Sequence, residues 1–249
     1  WCVTTNDQTT LAFASLDDQH RAAYEFYVNG TADWGWTTED LLFPPQAQVL
    51  HTGSLSACLL PSADVLLPKW KERRSIGEQL LSYDPNVRPA LVADRSHTVR
   101  TVEAFVATSH LVKLSEEDLD WLYPDDDIDH ALHRLAASGP ELVVLTRGPA
   151  GCRALRSSGR FLDRPGINVN VVDTIGAGDA FQSGLRSAAA DLGALTPGAI
   201  KRLSDDDMIV MLDRAVTVSA LTCQRAGADP PHRKELAKTE ANTAILNAG

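Results

Sequence analysis

An α/β fold with a mostly parallel central sheet between two layers of helices is predicted by three observations. The chain has 249 residues, of which 44% are hydrophobic, enough for one large core. From residue 47 onward, short apolar runs alternate with helical patterns of about ten residues or more, which is typical of parallel strands joined by helices. A separate hairpin pattern precedes this alternation, so we also predict a small β appendage.

The appendage is predicted from two short runs rich in β-branched and aromatic residues, at 9–16 and 22–28. The polar segment 17–21 lies between them, as in a hairpin. We therefore assign residues 1–34 to the β appendage and residues 35–249 to the main α/β domain. The chain begins at Trp1 without an initiator Met and enters a strand pattern directly, so we expect that upstream sequence belongs to this protein.

The main domain is predicted to follow the strand–helix order almost throughout. Cap signals place several helix starts, such as Ser62 and Ser115, and Pro85 ends a strand because it cannot donate to the ladder. The predicted strands are 47–55, 79–84, 109–114, 141–148, 152–156 and 167–173. The predicted helices are 62–77, 94–108, one that begins at Ser115, 126–138, 178–192, 205–225 and 232–239.

Composition excludes several classes of protein. The formal net charge is -10 and no Lys or Arg run forms a basic stripe, which argues against a nucleic-acid partner. The four cysteines are far apart, with no Cys-x-x-Cys pair, which argues against a zinc site or a disulfide framework. No apolar run reaches membrane-spanning length and no signal peptide is visible, so we predict a cytoplasmic protein without membrane contact.

Candidate functional residues follow the strands, because ligands of open α/β sheets bind beyond the carboxyl ends of the strands. Three such segments each allow a structural and a functional interpretation. The segment 84–89 is either a solvated turn or an anion clamp based on Arg88. The segment 113–118 is either an ordinary acidic helix start or a metal-nucleotide site. The segment 146–151 is either a tight turn or a backbone that lets a phosphate approach.

The fourth segment, 171–181, carries the strongest signal. Gly176 and Gly178 leave the backbone open at the predicted start of a helix, whose N–H groups and dipole favour an anion. Asp179 follows, and it is either a helix cap or a base that accepts the proton of an attacking hydroxyl. The combination of strand, Gly-Ala-Gly-Asp and helix favours the base.

At these residues the chain resembles the ribokinase-like (PfkB) family of carbohydrate kinases. Residues 173–181 match the second signature of that family in full, and the segments 84–88 and 146–148 match in the expected order. The resemblance covers nearly the whole chain. It implies a ribokinase-like three-layer sandwich in which the early hairpin is part of a β lid that closes over the sugar and supports a homodimer.

The resemblance also implies roles at the site of phosphoryl transfer. Asp179 would be the general base, and Gly176, Ala177 and Gly178 would form the anion hole. On the substrate side, Arg88 and Asn86 would contact the sugar or the transferred phosphate. These roles agree with the physics of phosphoryl transfer, which needs positioning and charge stabilisation more than covalent chemistry.

Cofactor sites are implied in the same way, with ATP, Mg²⁺ and a monovalent cation such as K⁺ as the groups bound. Thr146, Gly148, Gly151, Thr174 and Gly227 would line the nucleotide, with the segment 222–227 beside adenine. Asp118 would reach Mg²⁺ through water, since 115–118 reads Ser-Glu-Glu-Asp where many members have Asn-x-x-Glu. Asp173 would hold the monovalent cation. The family's N-terminal segment, with a sugar-binding Asp and a Gly-Gly-Asn turn, is not in this chain.

The substrate is predicted from the lid segment 24–34 and the segment 112–116, which look most like those of bacterial fructokinases. We therefore predict phosphorylation of fructose. The alternatives are a kinase of 2-keto-3-deoxygluconate or ribose, and a non-catalytic ligand-binding relative on the same scaffold. A dinucleotide-binding dehydrogenase is disfavoured, because its glycine motif follows an early strand. In this chain the glycines come late and an aspartate follows them.

Overall fold

The structure is a computed structural model and describes residues 2–16 and 22–236. Its strands are β1 (Leu11–Leu16), β2 (Ala22–Tyr27), β3 (Val49–Gly53), β4 (Leu80–Asp84), β5 (Leu111–Ser115), β6 (Leu142–Thr146), β7 (Cys152–Arg156) and β8 (Phe161–Arg164). They form two sheets. In the larger one, β3, β4, β5 and β6 run parallel, and β7 and β8 extend it antiparallel. The smaller sheet is the antiparallel pair of β1 and β2.

Four of the described helices begin where a side chain accepts a hydrogen bond from one of their first N–H groups. Asp94 and Asp127 each accept a hydrogen bond from the backbone N–H of the third residue of the helix that follows. Ser115 and Ser204 form capping boxes with Asp118 and Asp207. The helices are α1 (Ser62–Ile76), α2 (Arg95–Ala107), α3 (Glu116–Leu122), α4 (Ile128–Ala137), α5 (Ala177–Asp191), α6 (Ala199–Arg202) and α7 (Asp205–Cys223).

Two hydrophobic cores cover the two faces of the larger sheet. One face packs on α1, α2 and α4 around large buried side chains such as Trp70 and Phe105. The other face packs on α5 and α7, which approach closely where a Cβ on Gly184 would lie 2.7 Å from the Cα of Ala215. This arrangement confirms the predicted three-layer α/β class with a mostly parallel sheet and a separate small β element.

The sequence prediction was wrong at 167–173, which is not a strand. Leu162 and its neighbours in β8 take the edge position instead, and the chain leaves the sheet at Pro165 and Gly166. Pro165 has no N–H for the ladder, and a Cβ on Gly166 would lie 2.1 Å from the carbonyl oxygen of Pro149. Val172 is therefore exposed, and its N–H donates to the carbonyl of Cys223 at 2.8 Å.

The remaining elements agree with the prediction within a few residues, apart from the short helix α6, which was not predicted. The polar turn at 17–21 and the last part of the helix predicted at 232–239 lie outside the described residues, although 233–236 are helical. Within the described residues, no helix combines the length and apolarity needed to cross a bilayer.

His110 directly precedes β5, at the end of the sheet opposite to the candidate segments, and is 3% exposed. Its Nδ1 accepts a hydrogen bond from the N–H of Leu81 at 2.9 Å, which requires the neutral ring. Burial, together with the charges of Arg74 and Lys201, lowers the pKa of His110 to about 3.

We expect this lowered pKa to make the fold sensitive to acid. The unfolded chain takes up a proton at His110 near pH 6.5 while the folded chain does not, so stability is complete above pH 6.5 and falls as the pH drops toward 3. His110→Asn keeps an acceptor and cannot titrate. Between pH 7 and pH 5, urea unfolding should show wild type losing about 2 kcal/mol relative to His110→Asn. The same difference in unfolding free energy between wild type and His110→Asn at pH 7 and at pH 5 would contradict this.

Candidate active site

The first turn of α5 is built on a glycine that no other residue replaces without strain. Gly176 precedes the helix with φ of +76°, in the left-handed region that favours glycine. A Cβ there would also lie 2.7 Å from the Cβ of Ala228. The chain can therefore turn tightly into α5, and this turn brings the backbone of 176–178 to the carboxyl end of the sheet.

The amide groups of this turn are available to an anion. The N–H of Ala177 donates to the carbonyl of Thr174 at 3.2 Å, and within the described part of the chain the N–H groups of Gly178 and Asp179 have no acceptor. Such N–H groups and the helix dipole favour negative charge. We call residues 176–178 the anion cradle. Asp179 is exposed beside it, and its carboxylate accepts no hydrogen bond from the described residues.

A buried ion pair lies directly against the cradle. Lys113 of β5 donates from Nζ to Oδ2 of Asp84 at 3.0 Å, and the two side chains are 5% and 6% exposed. A Cβ on Gly178 would lie 3.0 Å from the same Nζ. Glycine at 178 therefore leaves space for the ammonium group. Removing one partner of such a pair typically costs about 3–5 kcal/mol.

The carboxyl of Asp84 is only partly satisfied. Its Oδ1 is buried and has no hydrogen-bond partner among the described residues. Burial raises the pKa of Asp84, the charge and hydrogen bond of Lys113 oppose that rise, and the carboxylates of Asp118 and Asp179 add to it. The carboxylates of Asp118 and Asp179 thus both act on Asp84 at this edge. Lys113 is the fully buried cation there, and the charge of the half-buried Arg186 also acts on Asp84 and Asp179.

The α5 side of the sheet becomes polar toward this edge. Farther from this edge, leucine side chains form the α5 side of the sheet. On β4, the same side carries Ser82 and then Asp84 toward the edge. Gln182 of α5 donates from Nε2 to Oγ of Ser82 at 2.7 Å, and Nδ1 of His51 lies 3.1 Å from that hydroxyl. This chain of hydrogen bonds positions α5, and with it the cradle, against β3 and β4.

The turn after β4 carries the candidate substrate residues. Asn86 has φ of +38°, and Arg88 donates to its side-chain Oδ1 and to its backbone carbonyl. The N–H of Val87 donates to Oδ1 of Asp118 at 2.7 Å. These contacts hold Arg88, which is half-buried, at the same edge of the sheet as Asp84.

Asp118 was predicted to reach Mg²⁺ through water, but both of its carboxylate oxygens accept hydrogen bonds from the protein itself. Oδ2 accepts from the N–H and hydroxyl of Ser115, at 3.0 and 2.9 Å, and Oδ1 accepts from Val87. Asp118 therefore joins the start of α3 to the substrate turn. No group of three or more His, Cys, Asp and Glu side chains that could hold a metal occurs within the described residues.

The candidate cation residue Asp173 connects two loops. Oδ1 accepts from the N–H of Ile175 at 2.9 Å, and Oδ2 accepts from the N–H of Gly227 at 2.8 Å. These two backbone hydrogen bonds lower the pKa of Asp173. The segment before α5, which includes the exposed Thr174, is thereby joined to the segment that follows α7.

The remaining nucleotide-side candidates lie at the end of β6. Thr146 pairs with Ser115 across the sheet and donates to the carbonyl of Leu114 at 3.3 Å. Gly148 opens a short 3-10 turn with φ of +49°, and a Cβ there would meet nothing. A Cβ on Gly151 would lie 2.1 Å from the carbonyl of Arg164, so this glycine is also required by packing between β7 and β8.

Sequence reasoning missed Lys113 and Asp84 as a pair. A signal was available, because Lys113 interrupts the apolar strand Leu111–Ser115 at a position that a parallel sheet buries. Its partner could not be identified, because that required knowledge that β4 and β5 are neighbours.

The chain matches the model of the pfkB family of carbohydrate kinases over residues 1–235. It is 34% identical over 209 residues to a fructokinase of Rhizobium leguminosarum bv. trifolii, covering 82% of this chain and 62% of that one. It is 33% identical over 199 residues to a fructokinase of Salmonella typhimurium, covering 76% of this chain and 64% of that one. The chain thus spans somewhat less than two thirds of the length of these relatives.

Solved structures share the fold. A fructokinase of Xylella fastidiosa with bound ATP superposes with a TM-score of 0.83 at 24% identity, covering 97% of this chain and 76% of that one. A fructokinase double mutant of Vibrio cholerae, bound to fructose, ADP and potassium, gives 0.80 at 23% identity, covering 94% and 74%. The predicted resemblance is therefore confirmed, and the chain belongs to the PfkB family of carbohydrate kinases.

Proposed function

We propose that the protein transfers the terminal phosphoryl group of ATP to a hydroxyl of fructose. One observation carries the proposal. The exposed carboxylate of Asp179 stands in the first turn of α5, beside amide groups that have no acceptor among the described residues. A proton acceptor and an anion site therefore lie side by side. An enzyme needs both of them when a hydroxyl attacks a phosphate.

In the proposed step, the sugar hydroxyl oxygen forms a bond to the terminal phosphorus of ATP. The bond from that phosphorus to the bridging oxygen breaks, and ADP leaves. Asp179 accepts the hydroxyl proton. The amide groups of the cradle stabilise the charge on the equatorial oxygens of the transferring group. Arg88 and Asn86 face the substrate side.

The sugar would enter from a cavity of about 530 Å³ between the N-terminal part of the chain and two loops of the main domain, one that precedes α1 and one that follows β4. This volume lies within the range of small-molecule pockets. The N-terminal part and the residues that follow the substrate turn both line it, which agrees with a lid role for β1 and β2. Its lining includes Phe26, Thr31, Trp34, Leu60, Leu91 and Val92.

The nucleotide would lie along the ends of β6 and α5, against Thr146, Gly148 and Thr174, with Gly151 and Gly227 shaping the adjoining turns. Mg²⁺ bound with ATP would neutralise phosphate charge. It commonly keeps several waters and uses one or two carboxylates, so Asp118 fits only through water. K⁺ would bind at Asp173. The segment 222–227 would flank adenine.

Fructose is favoured over other sugars because relatives at about one-third identity, including those of Rhizobium and Salmonella, are fructokinases. The Vibrio cholerae protein of the same fold holds fructose, ADP and potassium together. The assignment of 1–34 to the lid, the homodimer through that lid and the cytoplasmic location stay predictions.

A coupled assay of ADP release tests this function on the full-length protein with ATP, Mg²⁺ and K⁺. We expect the highest kcat/KM with fructose and lower values with 2-keto-3-deoxygluconate and ribose. A higher value with either of those sugars would reassign the substrate within the same reaction. No ADP release with any sugar, from protein that still binds ATP, would favour the non-catalytic relative.

A further inference from the structure

Lys113 has no role in the proposed step, although it is the buried cation nearest to the cradle. Its Nζ lies 3.0 Å from Oδ2 of Asp84 and 3.0 Å from the position of a Cβ on Gly178. An ammonium group has three N–H donors, and the described residues use one of them at Lys113. The buried lysine therefore retains donor capacity beside the first turn of α5.

The charges around the cradle explain why a cation is needed there. The charges of Asp118 and Asp179 both act on the carboxyl of Asp84. All three would repel an incoming phosphate. Arg88 directs hydrogen bonds to Asn86 and to the carbonyl of Val87, and Arg186 donates to the carbonyl of Gln182. The charge of the half-buried Arg186 also acts on Asp179 and Asp84. Lys113 is the fully buried cation that lies against Gly178 of the cradle.

We propose that Lys113 is a positioning residue of phosphoryl transfer, whose ammonium group, oriented by Asp84, supplies the fixed positive charge beneath the anion cradle. The inference rests on the proposed function, because it assigns Lys113 to the same reaction. The side chain of Lys113 is buried, so its ammonium group acts on the phosphoryl group through the backbone at Gly178. Asp84 holds it in one place, so no reorganisation is needed when charge develops on the phosphoryl group.

A structural alternative assigns Lys113 only to neutralising Asp84. The two interpretations differ in the double variant Asp84→Asn/Lys113→Met. That variant removes both charges together, so it leaves no unpaired buried ion and should fold. A merely structural pair can be replaced in this way without loss of turnover. If the lysine acts on the cradle, its replacement lowers kcat even though the protein folds.

The experiment measures kcat, KM and thermal unfolding for Lys113→Met, Asp84→Asn and the double variant. We expect the double variant to fold and to lose about 10²-fold in kcat, with KM for the sugar nearly unchanged. A loss of less than about tenfold overturns the proposal. Lys69→Met is the control, because Lys69 pairs with Glu72 on the surface, and it should retain wild-type kcat.

If the double variant does not fold, Asp84→Asn decides. It keeps an acceptor for Lys113 but removes the charge that orients it, so kcat should fall about tenfold. An unchanged kcat overturns the proposal.

Binding of inorganic phosphate separates this inference from the proposed function. Millimolar phosphate should raise the unfolding temperature of wild type and of Lys69→Met, and this rise should be lost in the double variant. An enzyme inactive on every sugar would remove the proposed function, and the phosphate measurement would still test Lys113. An equal rise in wild type and in the double variant overturns the role of Lys113.

Discussion

Asp179→Asn should abolish nearly all sugar phosphorylation while leaving ATP binding and the fold intact. The carboxylate is exposed, accepts no hydrogen bond from the described residues and stands beside the anion cradle, so its loss removes a proton acceptor and little packing. General-base catalysis contributes on the order of 10²–10⁴-fold, and we expect kcat to fall by that factor. Steady-state kinetics and ATP titration measure the two effects separately.

A matched control tests whether Asp179 merely stabilises its helix. Asp206 is likewise exposed and lies in the first turn of α7. Each carboxylate should contribute about 0.3–1 kcal/mol through the helix dipole. Asp206→Asn should therefore cost similar stability and retain wild-type kcat. If Asp179→Asn kept more than about a tenth of wild-type kcat, Asp179 would not be the base.

Gly53→Ala should destabilise the protein by about 3 kcal/mol or more. Gly53 ends β3 in register with Asp84, and a Cβ there would lie 2.0 Å from the carbonyl oxygen of Asp84 and 2.9 Å from its carbonyl carbon. Backbone atoms cannot give way as a flexible side chain does. The substitution must therefore separate the ends of β3 and β4, and it must displace the carboxyl that holds Lys113.

Urea unfolding measures this effect, and Gly35→Ala is the control. A Cβ on Gly35 would lie 3.7 Å from Oδ2 of Asp7, an ordinary contact. We expect Gly35→Ala to unfold at nearly the wild-type midpoint, and any folded Gly53→Ala protein to show a reduced kcat as well. Equal midpoints for the two variants would show that the ends of β3 and β4 separate without cost.

The local signals in the sequence predicted most of the fold. The cap signal at Ser115 marked a helix start, because its side chain accepts from an N–H only three residues away, within one turn. The cap predicted at Ser62 was wrong, because Ser62 is the first residue of α1 and its hydroxyl donates to preceding carbonyls instead. The apolar runs marked the parallel strands. The error at 167–173 arose because its apolar residues look like those of a buried strand. The hairpin of β7 and β8 occupies the sheet edge instead, and Pro165 and Gly166 direct the chain away from it.

By itself the sequence determined the α/β class, the family and the position of the glycine turn with Asp179. Each of these is encoded in residues close together along the chain. Only the tertiary structure decided that Asp84 and Lys113 form a buried pair, and that Lys113 lies against Gly178. The reason is that these residues are far apart in sequence, and their contact depends on which strands are neighbours and how closely α5 packs on them.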